Sequence, residues 1–308
     1  MTNRIAIIDL GTNTFHLLVA EKKNGVFSII HRDRRAVKIG KGGINQNQIT
    51  DEGMARALET MQLFKDTLAM HNVAVVYAFG TSALRHAVNR DEVLTAIKSK
   101  TSIEVKVISG EEEAEYIYYG VRWALNPGHE KMLIMDIGGG SVEFIIANGN
   151  EIFWKVSLEI GAQRLLEKFQ HHDPIAPEEI AALNDYFETQ LPELKKALQL
   201  HRPFILAGSS GTFDTLSDIY CIQQNLLTQP DAPETPLTIE AFYKIYDELI
   251  TKNRQQRLAI PGMLEMRVDM IVVACCLIRY VLQLHAFTGI RVSGYSMKEG
   301  VLARLGSR

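Results

Sequence analysis

Two short turns carry the residue types that hold phosphate groups. The first reads DLGTNT at residues 9–14 and the second DIGGGS at residues 136–141, and apolar segments flank both. Glycines let backbone N–H groups converge on one oxygen, and the hydroxyls of Thr12, Thr14 and Ser141 add donors. One such turn would be no more than a plain hairpin. Two of them at matching places favour phosphate binding.

The two turns belong to an internal repeat. Residues 5–20 and 132–147 share one plan of strand, Asp, apolar residue, Gly, small residues, hydroxyl residue and strand. Asp9 falls on Asp136, and His16 falls on Glu143. Such segments are typical of β-hairpins, so the repeat predicts two similar domains whose turns face each other across a crevice.

The aspartates that precede the glycines are candidate metal ligands. Mg²⁺ prefers a few carboxylates together with water and phosphate oxygens. Asp136 and Glu143 flank the second turn, whereas the first copy carries His16. This asymmetry indicates that the second turn holds the metal and the first grips phosphate. Alternatively, Asp9 or Asp136 caps its own turn.

Two further segments follow predicted strands. Residues 111–114 (EEEA) start a helix, where acidic residues favour the helix dipole, but a carboxylate at the strand ends is also suited to accept a proton from an attacking water. Arg85, in TSALRHA at residues 81–87, is either a bidentate phosphate clamp or part of a surface salt bridge.

Other polar residues allow two interpretations each. GSSGT at residues 208–212 is a strand, turn and helix start that suits an anion. Arg267 and Asp269 precede an apolar helix, and we expect them to form a buried pair. Lys298 either reaches the cleft or only turns the chain into its last helix. The basic stretch at residues 31–43 is a solvated edge or draws anions to the cleft.

Composition limits the class of protein. The chain has 308 residues, so two domains are expected, and 46% hydrophobic with 22% charged residues is globular. A net charge of −3 argues against a nucleic-acid-binding protein. Three cysteines without zinc spacing are expected to be buried thiols. Neither a secretory signal nor a membrane-spanning segment is recognisable, which predicts a cytoplasmic protein with no membrane partner.

Alternating helical and strand patterns predict an α/β fold. The turn cluster at residues 126–129 suggests domains at 1–126 and 127–308, with the last helix a candidate to pack back on the first domain. Pro192 is expected to break the helix at 178–200, and residues 228–236, with three prolines, to form an exposed loop. The sequence leaves both a monomer and a homodimer open.

The ordered segments DLGTNTFHLLV, TSALRHAVN, ISGEEEAEYIYYGV, DIGGGSVEF, SLEIGAQRL, GSSGTFDTL and VSGYSMKEG closely resemble the exopolyphosphatase and guanosine pentaphosphate phosphatase family. The resemblance runs nearly end to end. It implies two ribonuclease H-like domains of the actin, sugar kinase and heat-shock chaperone superfamily, hinged around the active cleft.

The resemblance also implies roles. Glu113 would be the general base and Arg85 the substrate-phosphate clamp, while Asp136 and Glu143 would bind Mg²⁺ or Mn²⁺. The phosphate path would be lined by Thr12, Asn13, Gly138, Gly139, Gly140, Ser141, Ser210, Gly211 and Thr212. Residues 209–212 read SSGT where two glycines are expected before the threonine, which puts the close backbone approach there in question.

The implied activity is release of terminal orthophosphate from inorganic polyphosphate or guanosine pentaphosphate. Two alternatives remain at this point. One is a sugar or acetate kinase-like phosphotransferase on the same fold. The other is a non-catalytic sensor of guanosine tetraphosphate or polyphosphate, although a pure binder has no need of a base.

Overall fold

Both repeated segments are hairpins. In the computed structural model, which describes residues 4–227, 229 and 231–306, Asp9 pairs across the first hairpin with His16, and Asp136 across the second with Glu143. Each turn is closed by a glycine N–H that donates to a hydroxyl residue's carbonyl, 3.1 Å for Gly11 to Thr14. The second turn repeats this bond. The predicted repeat is therefore confirmed as a structural one.

The first sheet has the strand order β3-β2-β1-β4-β5. Its strands are β1 (Arg4–Leu10), β2 (Thr14–Lys23), β3 (Val26–Ala36), β4 (Val75–Gly80) and β5 (Val105–Val107). The helices of this half are a 3₁₀ turn (Ile44–Gln46), α1 (Asp51–Met70), α2 (Ser82–His86), α3 (Arg90–Thr101) and α4 (Gly110–Leu125).

The second sheet has the order β10-β11-β9-β6-β7-β8. Its strands are β6 (Met132–Ile137), β7 (Val142–Ala147), β8 (Ile152–Leu158), β9 (Ile205–Ser209), β10 (Glu234–Leu237) and β11 (Gly289–Ser293). Its helices are α5 (Ala162–Phe169), α6 (Pro177–Gln190), α7 (Pro192–His201), α8 (Gly211–Gln223), α9 (Ile239–Thr251), α10 (Arg254–Leu258), α11 (Ile271–Leu284) and α12 (Met297–Gly306).

The two sheets share one topology. In each, the first three strands form an antiparallel meander, and two later strands run parallel to the first strand of that meander: β4 and β5 in the first sheet, β9 and β11 in the second. The second sheet also carries β10 as an antiparallel edge strand. The α/β class with two ribonuclease H-like units is thus confirmed. The chain passes from one sheet to the other between α4 and β6. The exact domain boundary at residue 126 stays a prediction.

Helices α4 and α12 pack together against both sheets. One cluster of buried side chains joins Ile7 of β1, Ile134 of β6, Ile117 of α4 and Val301 of α12. The helices touch backbone to backbone, since a Cβ at Gly300 of α12 would collide with the Tyr116 carbonyl of α4. The last helix also contacts β1 and β3. This packing fixes the start of α12, and with it Lys298, beside the turns.

The local predictions mostly hold. The predicted helix at 178–200 is broken at Leu191, as Pro192 required. The loop predicted at 228–236 is wrong in part, because Glu234–Leu237 forms edge strand β10, where Pro236 is tolerated since an edge position needs no further donor. Thr228 and Pro230 lie outside the described residues. The three cysteines are buried and free.

None of the described helices combines the length and the apolar character that crossing a bilayer requires.

Candidate active site

The two turns meet at a cavity of about 110 Å³. A Cβ added to Gly139 would lie 2.5 Å from Nδ2 of Asn13 and 3.0 Å from Cβ of Thr12, so the turns face each other at contact distance. The expected arrangement is confirmed. Every predicted substrate-binding residue except Thr212 lines the cavity: Thr12, Asn13, Thr14, Gly138, Gly139, Gly140, Ser141, Ser210, Gly211 and Lys298.

The three glutamates at the start of α4 lie in three different environments. Glu111 is exposed and lies 3.6 Å from Nζ of Lys155. Glu112 forms a capping box with Ser109, as the helix-dipole interpretation anticipates. Glu113 is buried and lines the cavity. Burial raises the pKa of Glu113 to about 7, and the neighbouring guanidinium of Arg85 opposes that rise.

Arg85 lies behind Glu113. Its Nη1 donates to Oε2 of Glu113 at 2.9 Å and to the Ile108 carbonyl at 3.2 Å, and its Nη2 donates to Oε1 of Glu159 at 3.1 Å. Burial alone would lower the pKa of this guanidinium, but the two carboxylates raise it. In this structure Arg85 therefore holds the predicted base, and its role as a phosphate clamp stays a prediction.

The two predicted metal ligands occupy different layers. Asp136 lines the cavity, and its Oδ1 accepts a hydrogen bond from Ser210 at 2.8 Å. Glu143 stands directly across the hairpin, is 1% exposed and accepts a hydrogen bond from Ser157 at 2.7 Å. Burial raises the pKa of both carboxyl groups. Only Asp136 reaches the cavity directly.

Asp9 carries an unsatisfied oxygen at the cavity wall. Its Oδ1 is buried without a hydrogen-bond partner among the described residues. Burial, followed by the nearby carboxyl group of Glu113, raises the pKa of Asp9 to about 8. Since this Oδ1 accepts no bond from its own turn, the capping interpretation does not account for it. A cation or a donor from a ligand would satisfy this atom.

Three cationic side chains line the same cavity: Arg34 of β3, Arg267 and Lys298. The expected pair of Arg267 with Asp269 is wrong, because Asp269 accepts from Nε of Arg254 at 2.8 Å. Arg267 lies in the turns before α11, and its Nε is buried without a partner among the described residues. Burial lowers the pKa of this guanidinium. An anion in the cavity would stabilise it.

The third turn departs from the expected glycines in an informative way. Ser210 has a φ of 71°, a value that L side chains adopt only under strain. Its hydroxyl donates to Asp136, so the serine helps to orient this carboxylate through a bond that a glycine could not make. Gly211 packs its backbone on the guanidinium of Arg267 and leaves no room for a Cβ. A close approach of this backbone to phosphate stays a prediction.

Sequence reasoning misplaced or missed several residues. Thr212 is buried within α8 and does not line the cavity. His16, Asp214, Thr81 and Ser82 do line it. Burial lowers the pKa of His16 well below its ordinary value and raises that of Asp214 to about 6. The only sequence signal for His16 was the internal repeat, in which His16 and Glu143 occupy equivalent positions.

The acidic side chains of the cavity fit a magnesium ion whose other ligands come from water and the substrate. The described residues contain no group of three or more His, Cys, Asp or Glu arranged as a complete metal site. Asp9, with its unsatisfied Oδ1, and Asp136 reach the cavity. Mg²⁺ commonly takes one or two carboxylates and completes its shell with water and phosphate oxygens, which is what this donor set offers.

Comparison with known proteins gives consistent results. The sequence model of the Ppx/GppA phosphatase family matches residues 18–307. A Haemophilus influenzae protein provisionally named as an exopolyphosphatase is 30% identical over 304 residues, which cover 98% of this chain and 91% of that protein.

Two crystal structures resemble the whole chain. An exopolyphosphatase from Cytophaga hutchinsonii has a TM-score of 0.96 at 44% identity, covering 99% of this chain and 98% of that one. The Aquifex aeolicus member of the Ppx/GppA family has a TM-score of 0.80 at 26% identity, covering 99% and 98%. Both halves of the chain and the link between them are matched.

Proposed function

The chain belongs to the Ppx/GppA phosphatase family and is a hydrolase, and from this premise we propose that it releases the terminal orthophosphate of inorganic polyphosphate with water activated by Glu113. The observation that carries the proposal is the position of Glu113. It is a buried carboxyl group, held at 2.9 Å by Arg85, on the wall of a cavity that two phosphate-type turns enclose.

The residues of the cavity divide the reaction among them. Backbone N–H groups and hydroxyls of the turns bind the terminal phosphoryl group, and Arg267, Arg34 and Lys298 balance the negative charge of the chain. Glu113 accepts a proton from a water molecule, whose oxygen attacks the terminal phosphorus. The bridging P–O bond breaks, and its electrons leave on the shortened polyphosphate.

Asp9 and Asp136 would hold the divalent cation, and Glu143 would support Asp136 from the neighbouring strand. Bound there, Mg²⁺ or Mn²⁺ supplies charge neutralisation for the transferred group. The buried carboxyl groups are costly to ionise without a cation. Binding of the cation and ionisation of the site are therefore coupled.

Guanosine pentaphosphate belongs to the same proposal because it presents the same terminal anhydride. The phosphotransferase and sensor alternatives have less support. The family match and the similar exopolyphosphatase structure favour hydrolysis over transfer. A buried carboxyl group aimed at the cavity suits water activation and would hinder a pure anion receptor.

The test is one matched set of assays. Purified protein is incubated with Mg²⁺ and with polyphosphate, guanosine pentaphosphate, or ATP plus sugars or acetate, while free phosphate and phosphorylated acceptor are measured. We expect free phosphate from polyphosphate, and its loss when EDTA replaces Mg²⁺. Acceptor phosphorylation would support the kinase alternative, and binding without phosphate release would support the sensor.

A further inference from the structure

Glu159 joins four side chains at the edge of the site. It lies in the short link between β8 and α5. Its carboxylate accepts from Oγ of Ser82 at 2.5 Å, Nη2 of Arg85 at 3.1 Å and Nη2 of Arg164 at 3.1 Å, and lies 2.8 Å from Nε2 of His86. Burial disfavours its charge, but the bonds from Ser82 and Arg85 keep its pKa below the ordinary value.

Three of these partners belong to α2 of the first half, whereas Glu159 and Arg164 belong to the second. The carboxylate therefore bridges the halves of the chain. Its own segment is firmly attached to the second phosphate turn. The N–H groups of Gly161 and Ala162 donate to the carbonyls of Gly140 and Gly138 at 3.1 and 2.9 Å.

Arg85 extends this connection to the base. The same guanidinium that donates to Glu159 through Nη2 donates to Glu113 through Nη1. One unbroken series of contacts thus runs from the second turn through Glu159 and Arg85 to Glu113. Glu159 itself does not line the cavity, and among the described residues its connection to Glu113 runs through Arg85.

We propose that Glu159 is a positioning residue of the hydrolytic reaction: it fixes Arg85, and through Arg85 the carboxylate of Glu113, relative to the second turn, which is one of the two turns that bind the terminal phosphate. Glu113 belongs to the first half of the chain, and the second turn belongs to the second half. A defined distance between them requires a bridge, and Glu159 supplies one beside the reacting groups. The inference rests on the proposed role of Glu113.

The test is a double-mutant cycle of Glu159→Ala and Arg85→Ala in polyphosphate hydrolysis. We expect Glu159→Ala to lower kcat by about 10- to 100-fold, as for a base misplaced by about 1 Å, while KM stays within about 3-fold. Because Glu159 acts through Arg85, the double variant should be no slower than Arg85→Ala alone. Independent, multiplying losses would overturn the proposal.

Conservative variants separate positioning from general stability. Glu159→Gln keeps one acceptor oxygen at the same reach, which can still face Arg85, so it should lose less of kcat than Glu159→Ala. Glu159→Asp keeps the charge but draws the oxygens back by one methylene, so it should lose kcat as Glu159→Ala does. A fully active Glu159→Asp enzyme would contradict the proposal, and this variant serves the same cycle if Glu159→Ala does not fold.

Glu167→Gln is the matched control. Glu167 also bridges the halves, since it accepts from Gly42 N at 2.9 Å, but its other hydrogen bond among the described residues comes from Gln163 and not from Arg85. Its kcat should be unchanged, and an equal loss there would reduce Glu159 to a structural role. Glu113→Gln in the same assay tells the two hypotheses apart. If it loses activity while the Glu159 variants do not, only the positioning inference fails.

Discussion

Nη1 of Arg85 lies 2.9 Å from Oε2 of Glu113, and both side chains are largely withdrawn from solvent. Two residues with separate expected roles, one as base and one as clamp, therefore form a single hydrogen-bonded unit. The arginine orients the carboxylate before any substrate arrives. Its positive charge also offsets part of the cost of ionising a buried acid.

The contact between the turns leaves no space for a side chain at Gly140. A Cβ there would meet Oγ1 of Thr12 at 2.6 Å and Cβ of Ser82 at 2.8 Å, both from the opposite half. Gly140→Ala should force the turns apart, lower the free energy of unfolding by about 1–3 kcal/mol and reduce kcat/KM by more than about 10-fold. Denaturant unfolding and phosphate release measure the two effects.

Gly289→Ala controls for the chemical change alone. A Cβ at Gly289 would meet only Cδ1 of Ile205 at 3.7 Å, an ordinary contact. Both its stability and its activity should stay near wild type. If Gly140→Ala behaved in the same way, the halves would not be in contact at this turn.

Arg267 should strengthen the binding of polyphosphate while its burial lowers the free energy of unfolding. Its guanidinium is buried with Nε unpartnered among the described residues, so Arg267→Met should leave the free energy of unfolding unchanged or higher. The same change removes a charge-assisted donor and should raise KM for polyphosphate by about 10-fold or more. Isothermal titration with polyphosphate should show weaker binding, and thermal unfolding should show unchanged or higher stability.

Arg90→Met is the charge-matched control, because Arg90 is partly exposed and pairs with the neighbouring Asp91 at 3.1 Å. Its KM should be unaffected. Equal rises in KM for both variants would mean that net charge, not the cavity, determines affinity.

The ionisation of Glu113 predicts an acid limb in the pH profile. Burial raises the pKa of Glu113 to about 7 against the opposing effect of Arg85, with Asp9, Asp136, Glu143 and Glu159 as the other titratable neighbours. A base works only when ionised, so kcat/KM should rise with pH and level off above about 7. Arg85→Gln removes the group that lowers this pKa, so the limb should move to higher pH. A limb that stays fixed or moves to lower pH would contradict the assignment.

The sequence sufficed where structure is local. The two hairpins with their turns and the start of α4 depend on residues close together in the chain. The repeat strengthened the prediction for Asp9 and Asp136, because the same motif occurs twice. The choice of Glu113 among the three glutamates, by contrast, came from the resemblance to a family and not from local pattern. Local pattern predicted only that a carboxylate would stand at that helix start.

Long-range placement was beyond local reasoning. Arg267 was assigned to a pair with Asp269 because the two are close in sequence. In the structure Asp269 accepts a hydrogen bond from Arg254, and Arg267 lines the cavity. Glu159 drew no attention, since its partners on α2 are more than 70 residues away. β10 was missed because the prolines of residues 228–236 are typical of a loop, and only pairing with β11 makes Glu234–Leu237 a strand.

The most direct test of the account is the single-turnover rate of phosphate release from polyphosphate by Glu113→Gln, at saturating Mg²⁺ and with binding measured in parallel. Glutamine preserves the size of the side chain and an acceptor for Arg85 but removes the proton-accepting carboxylate. The rate should fall by about 10²- to 10⁴-fold, while the Kd for polyphosphate stays within about 3-fold of wild type and the protein unfolds at a similar or higher temperature. A rate close to that of wild type, with binding intact, would show that another group activates the water.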